Sequence, residues 1–446
     1  MNNVTKSNKE SRVEIIPISH ALQASVRVPG SKSLTNRVLL VAALAEGITV
    51  LKNALFSDDS SYFAESLQQL GFEVTLDPAH AEMTIIGQGG IIPARKAELF
   101  IGNAGTAARF LTAFLTLGSG NFTLDGDARM RERPIGDLVF ALEQLGAKIV
   151  KVQTQSGARS EFATSQPICP PINIYGSGLQ GGRAEIAGNI SSQFLSGLLM
   201  VAPYASNPVE LVVTQDLNSK PYVELTLAVM SYFGVEVRRQ SYERFVIHPA
   251  HYQSRPACVI ESDASAASYF FAAPAVLGGR VRVKNISRRS KQGDIAFLDI
   301  LQQMGCTVSE GKEDIEVTGP VSLHGVDVDM RDISDTAQTL AAIAPFADSP
   351  THIRGIGFIR AKETNRISNT CTELKRLGVV VQEHPDGLTI QPCSAIRPGI
   401  IHTYNDHRMA MAFALIGLRV PGVQIENPAC VSKTFPDYFK MLENLR

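Results

Sequence analysis

Tryptophan is missing from the 446 residues altogether, and that absence decides nothing. The six cysteines say more, because Cys169, Cys258, Cys306, Cys371, Cys393 and Cys430 are scattered singly, with no CxxC pair and no Cys/His cluster at zinc spacing. Neither a disulfide scaffold nor a zinc site is indicated, and the thiols read as ordinary core residues. An excess of charge of one sign is also lacking. Lys+Arg 42 against Asp+Glu 43 leaves a net charge of −1, so there is no global basic field to hold nucleic acid, and aromatic residues are not interleaved with the cations. No apolar run approaches the roughly 20 residues of a bilayer span. The opening MNNVTKSNKESR has no apolar core of a secretory signal, so the cytoplasm is the expected compartment. No heptad or exposed apolar helix face asks for a partner, so a monomer is expected.

What remains has the composition of a globular enzyme, 44% apolar and 19% charged, long enough for two or three domains. One pattern recurs in ESLQQLGFEV, FALEQLGAKI, AVMSYFGVEV, DILQQMGCTV and TELKRLGVVV. The glycines Gly71, Gly146, Gly234, Gly305 and Gly378 are 75, 88, 71 and 73 residues apart. Each copy reads as a helix closed by a glycine in the left-handed cap conformation and followed at once by a strand. A sixth helix over 438–445 lies about one period later. Short strands are expected at 26–28, 98–101, 210–213 and 280–283. Six α/β units grouped three and three follow, with a join in the polar, proline-broken stretch 247–256 and a ligand site between two compact domains as the default expectation.

The organising stretch is IGNAGTAARF at 101–110, a small-residue turn leading into the apolar run 111–115. Unpaired N–H groups at such a helix start suit a phosphate or carboxylate. It has neither the Walker lysine nor the dinucleotide glycine spacing. Similar entrances recur. In PGSKSLTNR, Lys32, Ser33 and Arg37 precede an apolar helix that Ser33 or Thr35 caps and Gly47 closes, and cations there oppose the macrodipole unless an anion joins them. In DARMRERPIGDL, Arg133 is the arginine expected to point inward, with Pro134 opening a helix. Ser191, Ser192 and Gln193 precede a buried helix, and Ser191 reads equally as a plain N-cap. Ser219, Lys220 and Tyr222 precede a helix expected from about Val223. Further on, Asp332 and Asp335 precede another apolar helix, with Ser334 or Asp335 as its cap. AKETNR brings Lys362, Glu363 and Arg366 together. Lys362 and Arg366, four apart, would share a helix face and repel without an anion between them. Asp406, His407 and Arg408 lead the helix after YND, and Lys433 lies in SKTFPD. Cations at so many helix entrances point to a small substrate pair carrying phosphates and carboxylates, and Asp335 and Glu363 among them point to proton transfer.

These motifs, in this order and across nearly the whole length, resemble the 5-enolpyruvylshikimate-3-phosphate synthase family. The resemblance implies an α/β fold, a two-domain inside-out α/β barrel of six βαβαββ units. One domain would be 30–250 and the other 1–29 plus 251–446, with the active site in the cleft between them. It implies transfer of the enolpyruvyl group of phosphoenolpyruvate to the 5-hydroxyl of shikimate 3-phosphate through a tetrahedral intermediate, with phosphate released. This is a step toward chorismate and the aromatic amino acids, and it uses no metal or organic cofactor. Lys32, Asp335 and Glu363 would be catalytic. Lys32, Ser33, Arg37, Ser191, Ser192, Gln193, Ser219, Tyr222, Asp335 and Lys362 would hold shikimate 3-phosphate. Lys32, Asn103, Gly105, Arg133, Gln193, Arg366, Arg408 and Lys433 would hold phosphoenolpyruvate.

Two departures stand out. Phe110 occupies a position where many members have Pro, which bears on the set of that helix, and Phe358 occupies one where some have Asn, so one polar contact to shikimate 3-phosphate is expected to be missing or made by other groups. Gly105 leaves room for the inhibitor glyphosate. The alternatives are the related enolpyruvyl transferase acting on UDP-N-acetylglucosamine, which has Lys-Asn where this chain has Lys32-Ser33 and usually carries a reactive loop cysteine, and a non-catalytic phosphometabolite sensor. The first is disfavoured because no cysteine lies in the glycine-arginine segments, and the second because Lys32, Asp335 and Glu363 are all present.

Overall fold

The computed structural model describes residues 11–152 and 167–446. Residues 1–10, most of the opening stretch read above for a secretory signal, lie outside the described residues. The five repeat glycines all have positive φ, from 84° at Gly378 to 101° at Gly305. Each stands two residues beyond a helix: Asp58–Gln69, Gly136–Gln144, Lys220–Tyr232, Phe297–Gln303 and Arg366–Arg376. An L side chain is disfavoured at that φ, so glycine ends the helix and lets the next strand start at once. The sixth helix is Tyr438–Glu443.

Among the described residues the strands form six sheets, five of four strands and one of three. The first full repeat shows the rule: strand Lys96–Phe100 lies parallel to Ser119–Asp125, which is antiparallel to Ile172–Ser177, with Lys148–Lys151 at the far edge. A helix follows each of the first two strands, giving βαβαββ. The expected strands 98–101, 210–213 and 280–283 are all present within a residue or two, whereas 26–28 is shifted, since that strand is Leu22–Val26.

The contacts divide the chain into two compact units, each with its own apolar core. One holds the described residues up to Val28 with Ala264–Ser290 and Asp294–Arg446; the other holds Pro29–Asp263 and Lys291–Gly293. The second crossing thus follows Asp263, later than the stretch 247–256 suggests, and the cause is strand pairing. Cys258–Val259 lies parallel to Glu46–Lys52 and so completes the sheet of the repeat that begins at Lys32. In the other unit Leu22–Val26 plays that part beside Gly279–Lys284, and Arg12–Glu14 pairs antiparallel with Val423–Glu426.

In each unit three helices are buried along most or all of their length. They are Lys32–Leu44, Gly105–Leu115 and Ser192–Val201 in one, and Ala264–Leu277, Ala337–Ile343 and His407–Gly417 in the other. Phe110, Leu111 and Phe114 are fully buried; each contributes about 1.5–3 kcal/mol, and truncating Phe114 to Ala would cost about 3–5. No helix among the described residues is long and apolar enough to cross a membrane.

Candidate active site

Burying a helix leaves its polar N-terminus at a core boundary, and most of the sequence-singled residues stand there. The Lys32–Leu44 helix is capped by Ser31, whose Oγ accepts from Leu34 N–H at 3.4 Å, and not by Ser33 or Thr35. Ser33 is freed for the first turn, and Thr35 instead accepts from Leu55 N–H at 3.1 Å. Gly47 does not close this helix either; Ala45 does, and Gly47 lies inside the next strand. Lys32 Nζ is 3.4 Å from Asp59 Oδ2, and its backbone N–H donates to Asp263 Oδ2 at 2.9 Å.

Arg37, one turn in, is 1% exposed. Its guanidinium donates to Thr226 Oγ1 at 2.8 Å, Ser33 O at 3.0 Å, Tyr222 O at 3.1 Å and Ser196 Oγ at 3.3 Å. It also lies over the rings of Phe110 and Tyr222, at 5.2 and 5.9 Å. Burial pushes its pKa down to about 10, which leaves it charged at neutral pH. Phe110, a departure from the family pattern, thus serves as a face under this guanidinium. Sequence reasoning passed over Ser196 and Thr226, although a hydroxyl inside an apolar helix was the available signal.

At the glycine turn, Arg133 donates through Nη1 to Asn103 Oδ1 at 2.8 Å and Asn103 O at 3.1 Å. A Cβ on Gly105 would stand 2.5 Å from Arg133 Nη2 and 3.0 Å from its Cζ, so only glycine leaves the guanidinium in place. Arg129 and Arg131 pair instead with Glu132 and Asp125 at the surface. The helix after Arg133 starts at Gly136, beyond Pro134. Arg109 is buried and donates to Gly105 O and Pro134 O at 3.3 and 3.2 Å, bracing the turn from behind. Ser191 is indeed an N-cap, accepting from Gln193 N–H at 3.3 Å, while Gln193 Nε2 donates to Thr106 Oγ1 at 3.3 Å. Ser192 and Ser219 are buried. Ser219 sits in the left-handed region at φ 57°, and its helix begins at Lys220, three residues earlier than expected.

The other unit gathers a different constellation. Arg366, the first residue of its helix and 2% exposed, is gripped by three carboxylates. Nε donates to Asp406 Oδ2 at 2.8 Å, Nη2 to Glu363 Oε2 at 2.7 Å and Nη1 to Asp335 Oδ1 at 3.1 Å. Asp335 Oδ2 accepts from Arg408 Nη2 at 2.6 Å. Burial alone would lower the pKa of Arg366, but the Asp406, Glu363 and Asp335 charges outweigh it and hold the group above its ordinary range. Asp406 also caps the His407–Gly417 helix, accepting from Arg408 N–H at 2.9 Å. Its central place was missed, though an Asp ahead of a buried helix was the signal.

Three sequence expectations need correction here. Lys362 lies at the end of the 3-10 turn Gly357–Ala361, before the Arg366 helix, so the two do not share a helix face; Lys362 Nζ lies over the Phe358 ring at 5.9 Å. Neither Ser334 nor Asp335 caps the Ala337–Ile343 helix, since both belong to the 3-10 turn Ser334–Thr336. Asp332, unlike Asp335, is exposed. Lys433, itself buried, ends the turn Pro428–Lys433. Among the described residues no group of three or more His, Cys, Asp or Glu side chains could hold a metal ion. Burial pushes Cys306 and Cys430 up to about 12, away from reactivity.

A family model described as EPSP synthase (3-phosphoshikimate 1-carboxyvinyltransferase) matches residues 16–442. A 3-phosphoshikimate 1-carboxyvinyltransferase of Trichormus variabilis is 51% identical over 428 residues, 96% of this chain and 97% of that one. One of Shewanella denitrificans is 45% identical over 430 residues, again 96% and 97%. The solved EPSP synthase of Acinetobacter baumannii superposes with a TM-score of 0.80 at 24% identity, covering 97% and 98%, and so shares the two-domain α/β fold of six repeated units. With helix-entrance cations, sheet pattern and family model agreeing over almost all of its length, the chain belongs to the EPSP synthase family.

Proposed function

We infer that this chain is a 3-phosphoshikimate 1-carboxyvinyltransferase, moving the enolpyruvyl group of phosphoenolpyruvate to the 5-hydroxyl of shikimate 3-phosphate and releasing phosphate. Family membership supplies the reaction class. The observation that carries the chemistry is that one guanidinium, Arg366, holds both Asp335 and Glu363. In this reading Asp335 takes the proton of the 5-hydroxyl as its oxygen bonds to C2, while Glu363 delivers a proton to C3, with Lys32 assigned to assist the proton transfer. The resulting tetrahedral intermediate loses a proton from its methyl carbon and expels phosphate, restoring the double bond. Clustered cations stabilise the charge that develops on the leaving phosphate.

Arg37, Ser33, Ser191, Ser192, Ser219, Tyr222 and Lys362, with Asp335, are the groups assigned to shikimate 3-phosphate. Asn103, Gly105, Arg133, Arg366, Arg408 and Lys433 are assigned to phosphoenolpyruvate, with Lys32 and Gln193 reaching both. The neutral partners of Arg37 support its assignment to a dianion, since they hold the fork without cancelling its charge. The same reading makes the enzyme a cytoplasmic monomer; sedimentation tests the monomer, with a species of about 48 kDa expected. The test of activity is phosphate release from phosphoenolpyruvate with shikimate 3-phosphate and, separately, with UDP-N-acetylglucosamine. Release with the first alone is expected. Release with the second alone, or binding of shikimate 3-phosphate without turnover, would sink the assignment.

A further inference from the structure

Glu373 takes no part in the chemistry above, yet its carboxylate is fully buried. It lies two turns beyond Arg366 on the same helix. Its Oε1 accepts from Tyr404 Oη at 2.7 Å, and its Oε2 accepts from His402 N–H and from Arg376 Nε, both at 3.1 Å. Two of these donors come from one short segment of another element, and that segment is strained. Tyr404 and Asn405 are consecutive non-glycine residues at φ 52° and 56°. Asparagine tolerates the left-handed region, but tyrosine there costs about 1–2 kcal/mol and persists only where surrounding contacts over-determine it.

The turn is clasped from the other side as well. His402 Nδ1 is hydrogen-bonded to Glu426, and Asn427 Nδ2 donates to Asn405 Oδ1 at 3.2 Å. The residues that follow are Asp406, which grips Arg366, and Arg408, which grips Asp335. The left-handed pair therefore sets the direction in which the chain enters the buried His407–Gly417 helix, and with it where Asp406 and Arg408 point. A buried carboxylate facing one guanidinium, one phenol and one backbone N–H is expensive unless those bonds are kept, so the turn and the Arg366 helix hold each other in register.

We propose that Glu373 is a positioning residue, locking the strained Tyr404–Asn405 turn to the Arg366 helix so that Arg408, and Arg366 through its partner Asp406, are held ready for the phosphoenolpyruvate anion. This rests on the function proposed above only in naming that anion. The test uses Glu373→Gln, which keeps the shape and removes an acceptor, and Tyr404→Phe, which removes one bond. Amide hydrogen exchange over residues 402–408 should quicken about tenfold in Glu373→Gln and about threefold in Tyr404→Phe, with the Lys32–Leu44 helix unchanged. The KM for phosphoenolpyruvate should rise about tenfold, and that for shikimate 3-phosphate less than about twofold. The double variant should be no worse than Glu373→Gln alone, because both remove the same contact. Unchanged exchange over 402–408, or both KM values rising together, overturns the proposal. If the unmodified chain shows no transferase activity, the assigned function falls, while the exchange measurement still decides the clamp.

Discussion

Arg37 and Arg366 are both buried arginines within the first two turns of a helix, one in each unit, and they are held in opposite ways. Arg37 is surrounded by two hydroxyls, two carbonyls and two aromatic faces, and no ion pair to it occurs among the described residues. Arg366 is met by three carboxylates, one of which it shares with Arg408. The fork of Arg37 is therefore pre-oriented while its charge stays uncompensated, and in the function proposed above the phosphate of shikimate 3-phosphate is what supplies the counter-charge. At Arg366 the charge is already balanced, and the guanidinium works as much by holding Asp335, Glu363 and Asp406 together as by attracting an anion. A buried cation without a counter-charge is tolerable to folding only where every N–H finds an acceptor.

The contrast can be broken most sharply by replacing each arginine with methionine. Arg366→Met takes the shared cation from three carboxylates, of which Asp335 keeps Arg408, and should lower stability by about 3–5 kcal/mol, seen as an earlier urea midpoint. Arg37→Met removes a buried charge whose partners Thr226 and Ser196 already bond to each other at 2.9 Å, so stability should change by about 1 kcal/mol or less. Its cost should appear in binding, with affinity for shikimate 3-phosphate falling about a hundredfold or more in calorimetry. Equal melting of the two variants would end the comparison.

Smaller effects sharpen it. Gly105→Ala pushes a methyl against the Arg133 fork, so the KM for phosphoenolpyruvate should rise roughly tenfold with kcat largely kept, and glyphosate should inhibit less. Unchanged inhibition in a steady-state titration would count against Gly105 as the small residue of that subsite. Phe110→Leu withdraws the ring beneath Arg37 and should weaken shikimate 3-phosphate by about threefold to tenfold, leaving phosphoenolpyruvate unaffected.

The smallest effect concerns pH. Ser368, ahead of Arg360, holds the Glu383 carboxyl below its ordinary value of 4.5. A depressed carboxylate stabilises the fold fully above that value and loses its contribution as pH falls through the lowered one. Arg360 ties Glu383 to Asn365, the cap of the Arg366 helix. Acid unfolding of Glu383→Gln should therefore be shallower than that of the unmodified chain below pH 4.5, and an identical acid limb would remove Glu383 from the account.

The repeat was legible because helix, glycine and strand lie within ten residues of one another, and the left-handed cap is a local demand met at all five glycines. The helix entrances were legible for the same reason, since a small polar turn ahead of an apolar run can only be the wet end of a buried helix. Caps were read less well. Ser31, Ser33 and Thr35 offer the same hydroxyl, and choosing among them takes the backbone geometry that places Ser31 outside the helix. Lys362 and Arg366 looked like helical neighbours because their spacing is four, and nothing local announced the 3-10 turn that separates them.

By itself the sequence determined the six-unit plan, the buried helices and the family, because periodicity, capping glycines and motif order are properties of short stretches. Only the tertiary structure decided how the chain ends are exchanged, with Cys258–Val259 completing the repeat that starts at Lys32, and which charges meet. Asp335, the 363–366 stretch and the 406–408 stretch are three separate segments of the chain, and the partners of Arg37 lie up to 189 residues away. Such pairs carry no spacing signature. Their energies depend on burial and on distances that packing alone sets.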